Sequence, residues 1–265
     1  MCILFIAINQ HPKYPLVVCA NRDEFYQRPT RPMHVWKAHN LLAGQDELSG
    51  GTWLGINQYS QISALTNLRM PALYRQDAKS RGELVINALT SLDGKQETRD
   101  FIKELEEDAE QYNPFNLLFE NNGNMYCFHS VSKQTTKLSP GFHSVCNGAI
   151  DDIWPKMATG TKRLEEHLLT SAAISTDELI ALLNDTTKAP IKHLPDTGVE
   201  KALESELSSI FVQTAQYGTR SSSVLLRDQS GNCTIYEYQY SNQGDVIANQ
   251  EFSLKQGQFS PKENR

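Results

Sequence analysis

The chain opens on an apolar run. Residues 2–8 (CILFIAI) are rich in β-branched and large apolar side chains, and the run stops at Asn9-Gln10-His11. The turn cluster His11-Pro12-Lys13-Tyr14-Pro15 follows, and then a second run, LVVCA, over 16–20. Two such runs around a turn predict a β-hairpin at the N-terminus. Arg28-Pro29-Thr30-Arg31-Pro32 reads as a loop, because its prolines and charges break the strand period. A further strand pair is expected over 51–56 (GTWLGI) and 61–66 (QISALT).

Helical spacing then takes over. Ser80 and Glu83 form a capping-box pattern that predicts a helix over 80–91. In the charged stretch 97–112, Phe101, Ile102, Leu105 and Ala109 recur at helical spacing. Strand patterns return at 116–120, 125–131, 134–138 and 142–146. A second helical group covers about 155–171, 176–183 and 199–207, with Ser175 and Glu178 as another capping box. Three strand-like runs close the chain at 221–226, 233–240 and 246–254, the first two joined by the turn Asp228-Gln229-Ser230-Gly231. The polar tail 256–265 is expected to fray. Strands, helices, strands, helices, strands: that order predicts an α+β fold with antiparallel sheets. No linker or internal repeat interrupts it, so residues 1–265 read as a single domain.

Composition narrows the class. A chain of 265 residues with 39% apolar positions has enough material for a sizeable core. Its net charge of −6 argues against a nucleic-acid partner, since binding phosphates needs a basic surface. Five cysteines lie at 2, 19, 127, 146 and 233, with no C-x-x-C pair. That spacing excludes a zinc ribbon or a thioredoxin-type pair, and Cys127-x-His129 supplies too few ligands for a metal site. Thiols kept reduced fit a cytoplasmic protein. The first eight residues lack the positive flank and cleavage site of a signal peptide. No apolar run approaches the ~20 residues of a transmembrane segment.

Cys2 is the most informative single residue. It follows the initiator Met, and a small side chain there permits Met1 to be removed. The thiol would then sit beside a free α-amino group, whose reference pKa is ~7.7–8.0. Nucleophile and base would share one residue. The plain alternative is the first position of an apolar strand. Asn21-Arg22-Asp23-Glu24 follow the second run, beside the strand that carries Cys2. A carboxylate there suits an ammonium group and an arginine suits an anionic ligand; the plain alternative is a solvated turn. Gly50-Gly51 lacks the G-K-[ST] ending of a phosphate loop and reads as a hairpin turn. Trp53 fits packing against a sheet better than stacking on a ligand. Trp154-Pro155-Lys156 reads as a helix start. The seven histidines (11, 34, 39, 129, 143, 167, 193) do not cluster and name no axial haem ligand.

Eight ordered blocks carry a resemblance. They are Met1-Cys2 with its apolar strand, Asn21-Arg22-Asp23-Glu24, Gly50-Gly51-Thr52-Trp53-Leu54-Gly55, Leu65-Thr66-Asn67, Ser80-Arg81-Gly82, Tyr112-Asn113-Pro114-Phe115-Asn116, Trp154-Pro155-Lys156 and Tyr217-Gly218-Thr219-Arg220-Ser221-Ser222. Together they resemble the NRDE family, also called the transport-and-Golgi-organisation family, from residue 1 to about 226. That family in turn resembles N-terminal nucleophile (Ntn) hydrolases of the choloylglycine hydrolase and penicillin acyltransferase type. The resemblance implies a four-layer αββα sandwich of two antiparallel sheets. It implies Cys2 as nucleophile, Asp23 as the carboxylate that orients the α-amino group, Asn67 and Asn147 as oxyanion donors, and Arg220 as the arginine that completes the site. One departure stands out: those hydrolases carry an Arg before the Asn of the hairpin motif, and this chain has Ala20 there, with Arg22 after the Asn.

The resemblance implies a cysteine-dependent amidase or acyltransferase acting on a small anionic amide or thioester, with no cofactor required. The alternative it implies is a non-catalytic carrier on the same fold, with haem or an acyl lipid as cargo. The charge distribution supports an anionic ligand. Residues 97–112 hold seven acids and two bases, whereas residues 1–81 hold nine bases and five acids. The segment with most of the candidate site is therefore positive. Asn21, Arg22, Glu24, Arg28, Trp53 and Arg69 are its candidate ligand contacts. The acidic helix alone would motivate a partner-binding scaffold, and a solvated face explains it more simply.

Overall fold

A computed structural model of the chain describes residues 2–92, 96–171 and 173–262. Among them the elements run β1 (Cys2–Ile8), β2 (Leu16–Phe25), β3 (Thr30–Trp36), β4 (Leu41–Asp46), β5 (Leu54–Asn57), β6 (Ile62–Asn67), α1 (Gly82–Ser91), α2 (Thr98–Asp108), β7 (Phe115–Asn121), β8 (Asn124–His129), β9 (Gln134–Lys137), β10 (Gly141–Val145), α3 (Pro155–Thr170), α4 (Thr176–Leu183), α5 (Lys201–Glu206), β11 (Tyr217–Arg227), β12 (Cys233–Tyr240), β13 (Val246–Lys255) and β14 (Gln258–Lys262). The chain divides into two compact units, residues 1–27, 140–255 and 260–265 forming one and residues 28–139 and 256–259 the other. No helix of the described residues is long and apolar enough to cross a membrane.

The first unit is built on a seven-stranded sheet of order β10-β1-β2-β11-β12-β13-β14. Its pairings from β10 to β13 are antiparallel. Strand alternation sorts its faces. Ile3, Phe5 and Ala7 share one face with Val17, Cys19, Val224 and Leu226, and this face packs against Met157, Leu164 and Leu168 of α3 and Leu179, Leu182 and Leu183 of α4. Gly160 is required where α3 crosses the sheet, since a Cβ there would lie 2.1 Å from the Phe5 ring. Half of the expected capping box of α4 forms: the Ser175 hydroxyl accepts the Glu178 amide at 3.3 Å, but the Ser175 amide donates to His167 Nε2 at 3.1 Å rather than to Glu178.

The second unit holds another seven-stranded antiparallel sheet, β3-β4-β5-β6-β7-β8-β9, in chain order. Leu65, Phe115, Leu117, Phe119 and Phe128 pack against Leu84, Val85, Ala88 and Leu89 of α1 and Phe101 and Leu105 of α2. Here α1 comes close enough to a loop that Gly51 and Gly82 meet backbone to backbone, and a Cβ on Gly51 would lie 2.6 Å from the Gly82 carbonyl carbon.

Four sequence expectations are corrected. Residues 30–32 are strand, not loop: β3 is an edge strand, and Pro32 falls in its irregular register between Arg31 and His34, where a missing N–H costs no ladder bond. Asn21-Arg22-Asp23-Glu24 are not a turn, because β2 continues through them to Phe25. The Ser80–Glu83 capping box does not form; α1 starts at Gly82 after Arg81, and Glu83 instead accepts the Tyr112 hydroxyl at 2.5 Å. The tail does not fray over 258–262, because Gln256 and Gly257, both at positive φ (49° and 77°), turn the chain into β14. The remaining three tail residues, 263–265, lie outside the described residues.

Candidate active site

Cys2 is the first residue of β1 and lies directly opposite Arg22 of β2. Arg22 in turn lies opposite Ser221 of β11. Directly opposed residues share a face, so Cys2, Arg22 and Ser221 form one row across three strands. All three are buried, at 8%, 4% and 5% exposure. Asn21 and Asp23 alternate to the other face. The chain after β10 reaches the same end of the sheet. β10 pairs Val145 with Leu4 and ends there, and the buried Asn147 follows two residues on. The turn that follows Asn147 is fixed by the Asp152 carboxylate accepting the Ala149 amide at 2.7 Å and by the Asp151 carboxylate accepting the Ser144 amide at 2.8 Å.

Asp23 is the next residue of β2 beyond the Cys2–Arg22 pair. It is 3% exposed, and its Oδ1 accepts a hydrogen bond from Thr219 Oγ1 at 2.7 Å. Thr219 Oγ1 accepts the Val212 amide at 2.9 Å, and the Tyr217 hydroxyl donates to the Asp23 carbonyl oxygen at 3.0 Å. Between Thr219 and Ser221 the register with β2 shifts, leaving Arg220 as the extra residue of a β-bulge. Bulges re-aim a side chain. Arg220 Nη1 donates to the carbonyl oxygens of Phe25 and Tyr26, both at 3.1 Å.

These groups act on one another electrostatically. Burial pushes the Cys2 thiol above its ordinary value; the chain's amino terminus and Arg22 pull it down, and Asp23 and Glu24 add to the rise. Burial, and next the like charge of Arg22, lower the Arg220 guanidinium. Arg22 Nη2 and Glu24 Oε2 are 3.9 Å apart, an ion pair without hydrogen-bond contact. Tyr26, which the sequence did not single out, belongs to the same cluster. Burial raises it, and Arg220 and Asp23 both bear on it. A Cβ on Gly218 would lie 2.2 Å from its hydroxyl, which explains a glycine in that motif.

Several sequence candidates have other tasks. Asn21 Nδ2 donates to the carbonyls of Leu183 and Ile210 at 2.8 and 3.1 Å, and its Oδ1 accepts from Ser222 Oγ at 2.6 Å. Its amide ties β2 to the chain beyond α4, so its polar atoms are committed within the unit. Within the second unit, Arg28 is bound to Asp46 Oδ2 at 2.6 and 3.0 Å and to Ser49 Oγ at 3.0 Å. Trp53 covers Gly44, where a Cβ would lie 2.4 Å from the indole. Asn67 ends β6 opposite Phe115, and Arg69 is buried just beyond it. Lys156 Nζ donates to the Leu207 carbonyl at 2.9 Å, a packing role.

Residues 1–242 match the family described as Transport and Golgi organisation 2. The chain belongs to that family. Homologues named Transport and Golgi organization protein 2 homolog from Bos taurus and Homo sapiens are each 32% identical over 258 residues, covering 89% of this chain and 92% of the relative. Among solved structures, a mutant of the conjugated bile acid hydrolase from Clostridium perfringens aligns over 100% of this chain and 97% of its own, with a TM-score of 0.53 at 9% identity. That likeness shows the fold: this family member is an α+β protein of two antiparallel sheets with an Ntn-hydrolase-like fold.

For the family member, the register makes sense of two motif blocks at once. Asn21 to Glu24 and Tyr217 to Ser222 are cross-strand neighbours on β2 and β11. Thr219, Tyr217 and Ser221 were quoted only as parts of a block. Strand alternation would set Thr219 and Ser221 on one face; the bulge at Arg220 sends Thr219 to the Asp23 face and Ser221 to the Cys2 face, and local periodicity reports neither the bulge nor which strands pair.

Proposed function

We propose that this protein is a cysteine-dependent, Ntn-type acyl hydrolase or acyltransferase with Cys2 as nucleophile. The observation that carries the reading is the β1–β2 register, with Cys2 opposite Arg22 and Asp23 the next residue of β2 beyond that pair. Removal of Met1 would expose an α-amino group at that point, beside a buried carboxylate suited to hold its ammonium form. The fold likeness to a bile acid hydrolase supports the architecture; the substrate named there belongs to that protein.

In this reading the Cys2 thiol passes its proton to the α-amino group, and the sulfur attacks an amide or thioester carbonyl carbon. Negative charge moves onto the carbonyl oxygen, and the Asn147 amide is the candidate donor to it. Collapse breaks the bond to the leaving amine or thiol, which takes the proton held by the α-ammonium. Water or another amine then attacks the thioester at Cys2 and frees the acyl group. Asp23 orients the ammonium, and Thr219 orients Asp23.

The test is labelling of the Met1-processed protein with a thiol-reactive acyl probe, read by intact mass. Stoichiometric acylation of wild type and none in Cys2→Ala is expected. Equal labelling of the two would remove Cys2 from the chemistry.

A further inference from the structure

Ser221 is a buried hydroxyl that no described residue satisfies. Its Oγ is shielded from water and has no hydrogen-bond partner. The next residue makes the contrast. Ser222, on the opposite face, donates to Asn21 at 2.6 Å and accepts the Tyr240 hydroxyl at 3.0 Å. Buried polar groups are nearly always paired, so an orphan beside a reactive centre calls for an explanation. Ser221 lies across the strand from Arg22 and next in the chain to Arg220, in the row that begins at Cys2.

We propose that Ser221, Arg22 and Arg220 form a subsite for a single carboxylate on the acyl substrate of Cys2. This rests on the reading above and adds to it which part of the substrate is charged and where it sits. Two guanidiniums and a hydroxyl match a carboxylate in donor type. The nearby Asp23 and Glu24 limit the charge that can be accommodated. Against two cations and two carboxylates, a monoanion is favoured and a phosphate dianion is repelled. The row also sets a distance. Two inter-strand gaps separate Cys2 from Ser221 by about 10 Å between Cα atoms, which leaves roughly three bonds between the attacked carbonyl carbon and the carboxylate carbon once the side chains reach inward. N-acetylglycine has that spacing on the amine side of the amide, and succinamate has it on the acyl side.

The experiment measures the rate of Cys2 alkylation by iodoacetamide in the processed full-length protein, against rising N-acetylglycine, succinamate and their methyl esters. At least one acid should protect saturably, with its ester about tenfold weaker, and the protecting acid tells which side of the amide is charged. Ser221→Ala, which removes an unpaired hydroxyl and so should keep its melting temperature, should weaken that protection by about three- to tenfold. Equal protection by acid and ester, no protection by either acid, unchanged protection in Ser221→Ala, or stronger protection by inorganic phosphate would each overturn the subsite. The same acids titrated by NMR into Cys2→Ala, with and without Ser221→Ala, separate the two ideas. A Ser221-dependent carboxylate site that persists while Cys2 proves inert leaves the subsite standing and removes the enzyme.

Discussion

Thr219 Oγ1 donates to Asp23 Oδ1 at 2.7 Å, and the same oxygen accepts the Val212 amide at 2.9 Å. One buried hydroxyl thus holds one buried carboxylate across β2 and β11. Hydrogen bonds to charged groups contribute about 1.5–3 kcal/mol, and a stranded buried donor adds its own cost. Thr219→Val preserves shape but removes both bonds, leaving the Val212 amide and the Asp23 carboxylate short of a partner. Its chemical stability in urea should fall by about 2–4 kcal/mol. In the fraction still folded, Cys2 alkylation at neutral pH should slow. Thr219→Ser keeps the hydroxyl and should restore the alkylation rate; failure of that rescue would show that the hydroxyl does not act on Cys2.

Asn21 supplies a separate prediction, because its partners are structural. Asn21→Leu removes the donor to the Leu183 and Ile210 carbonyls and the acceptor of the Ser222 hydroxyl, which keeps only the bond from Tyr240. Each buried polar group left unpaired costs about 1–3 kcal/mol, so a large drop in the urea midpoint is expected. The rate of Cys2 alkylation per folded molecule should change little. A variant of ordinary stability with altered ligand protection would instead make Asn21 a binding residue.

Local pattern made much of this fold legible. β1, β12 and α3 lie where alternation, turn residues and Pro155 put them. β3 was hidden because an edge strand tolerates the proline and charges that ordinarily mark a loop. Four polar residues in a row, Asn21 to Glu24, look like a solvated turn, yet Asn21 and Asp23 are buried. Their burial depends on Ser222 and Thr219, about 200 residues away, and no local period reports such partners. The proposed role of Asn147 rests on resemblance, those proposed for Cys2 and Asp23 rest on their places in the sequence as well as on resemblance, and haem as a cargo rests on resemblance alone. The fold adds the row Cys2–Arg22–Ser221, which follows from register.

The glycine blocks also acquire a physical reason. Gly51 and Gly82 touch through their backbones, and the Thr52 amide donates to the Gly82 carbonyl at 3.2 Å. Gly51→Ala would push a methyl group against backbone that has no rotamer with which to yield. Overpacking of this kind costs about 1–3 kcal/mol. The loss should appear as a lower melting temperature, with Gly50→Ala as the control for positive-φ strain, since Gly50 (φ 77°) has open space around it. A Gly51→Ala protein as stable as wild type would show that α1 can shift away from the loop.

The last prediction concerns pH. Burial lifts the Cys2 thiol above its ordinary value, so the thiolate fraction at neutral pH is small in a chain that keeps Met1. Alkylation of that form should be slow near pH 7 and rise only as pH passes the elevated thiol value. In the processed chain the α-amino group lies on Cys2 itself, and its reference pKa of ~7.7–8.0 makes it a proton acceptor near neutrality. The processed form should therefore react faster at pH 7 and reach its plateau at lower pH. The four other cysteines are buried as well, and Cys19, pushed up to about 12 by burial, should stay unmodified throughout. Preparing both forms, confirming each by intact mass and following alkylation across the pH range checks this. Superimposable profiles would mean that the amino group does not activate the thiol, and the self-contained nucleophile–base pair at Cys2 would have to be abandoned.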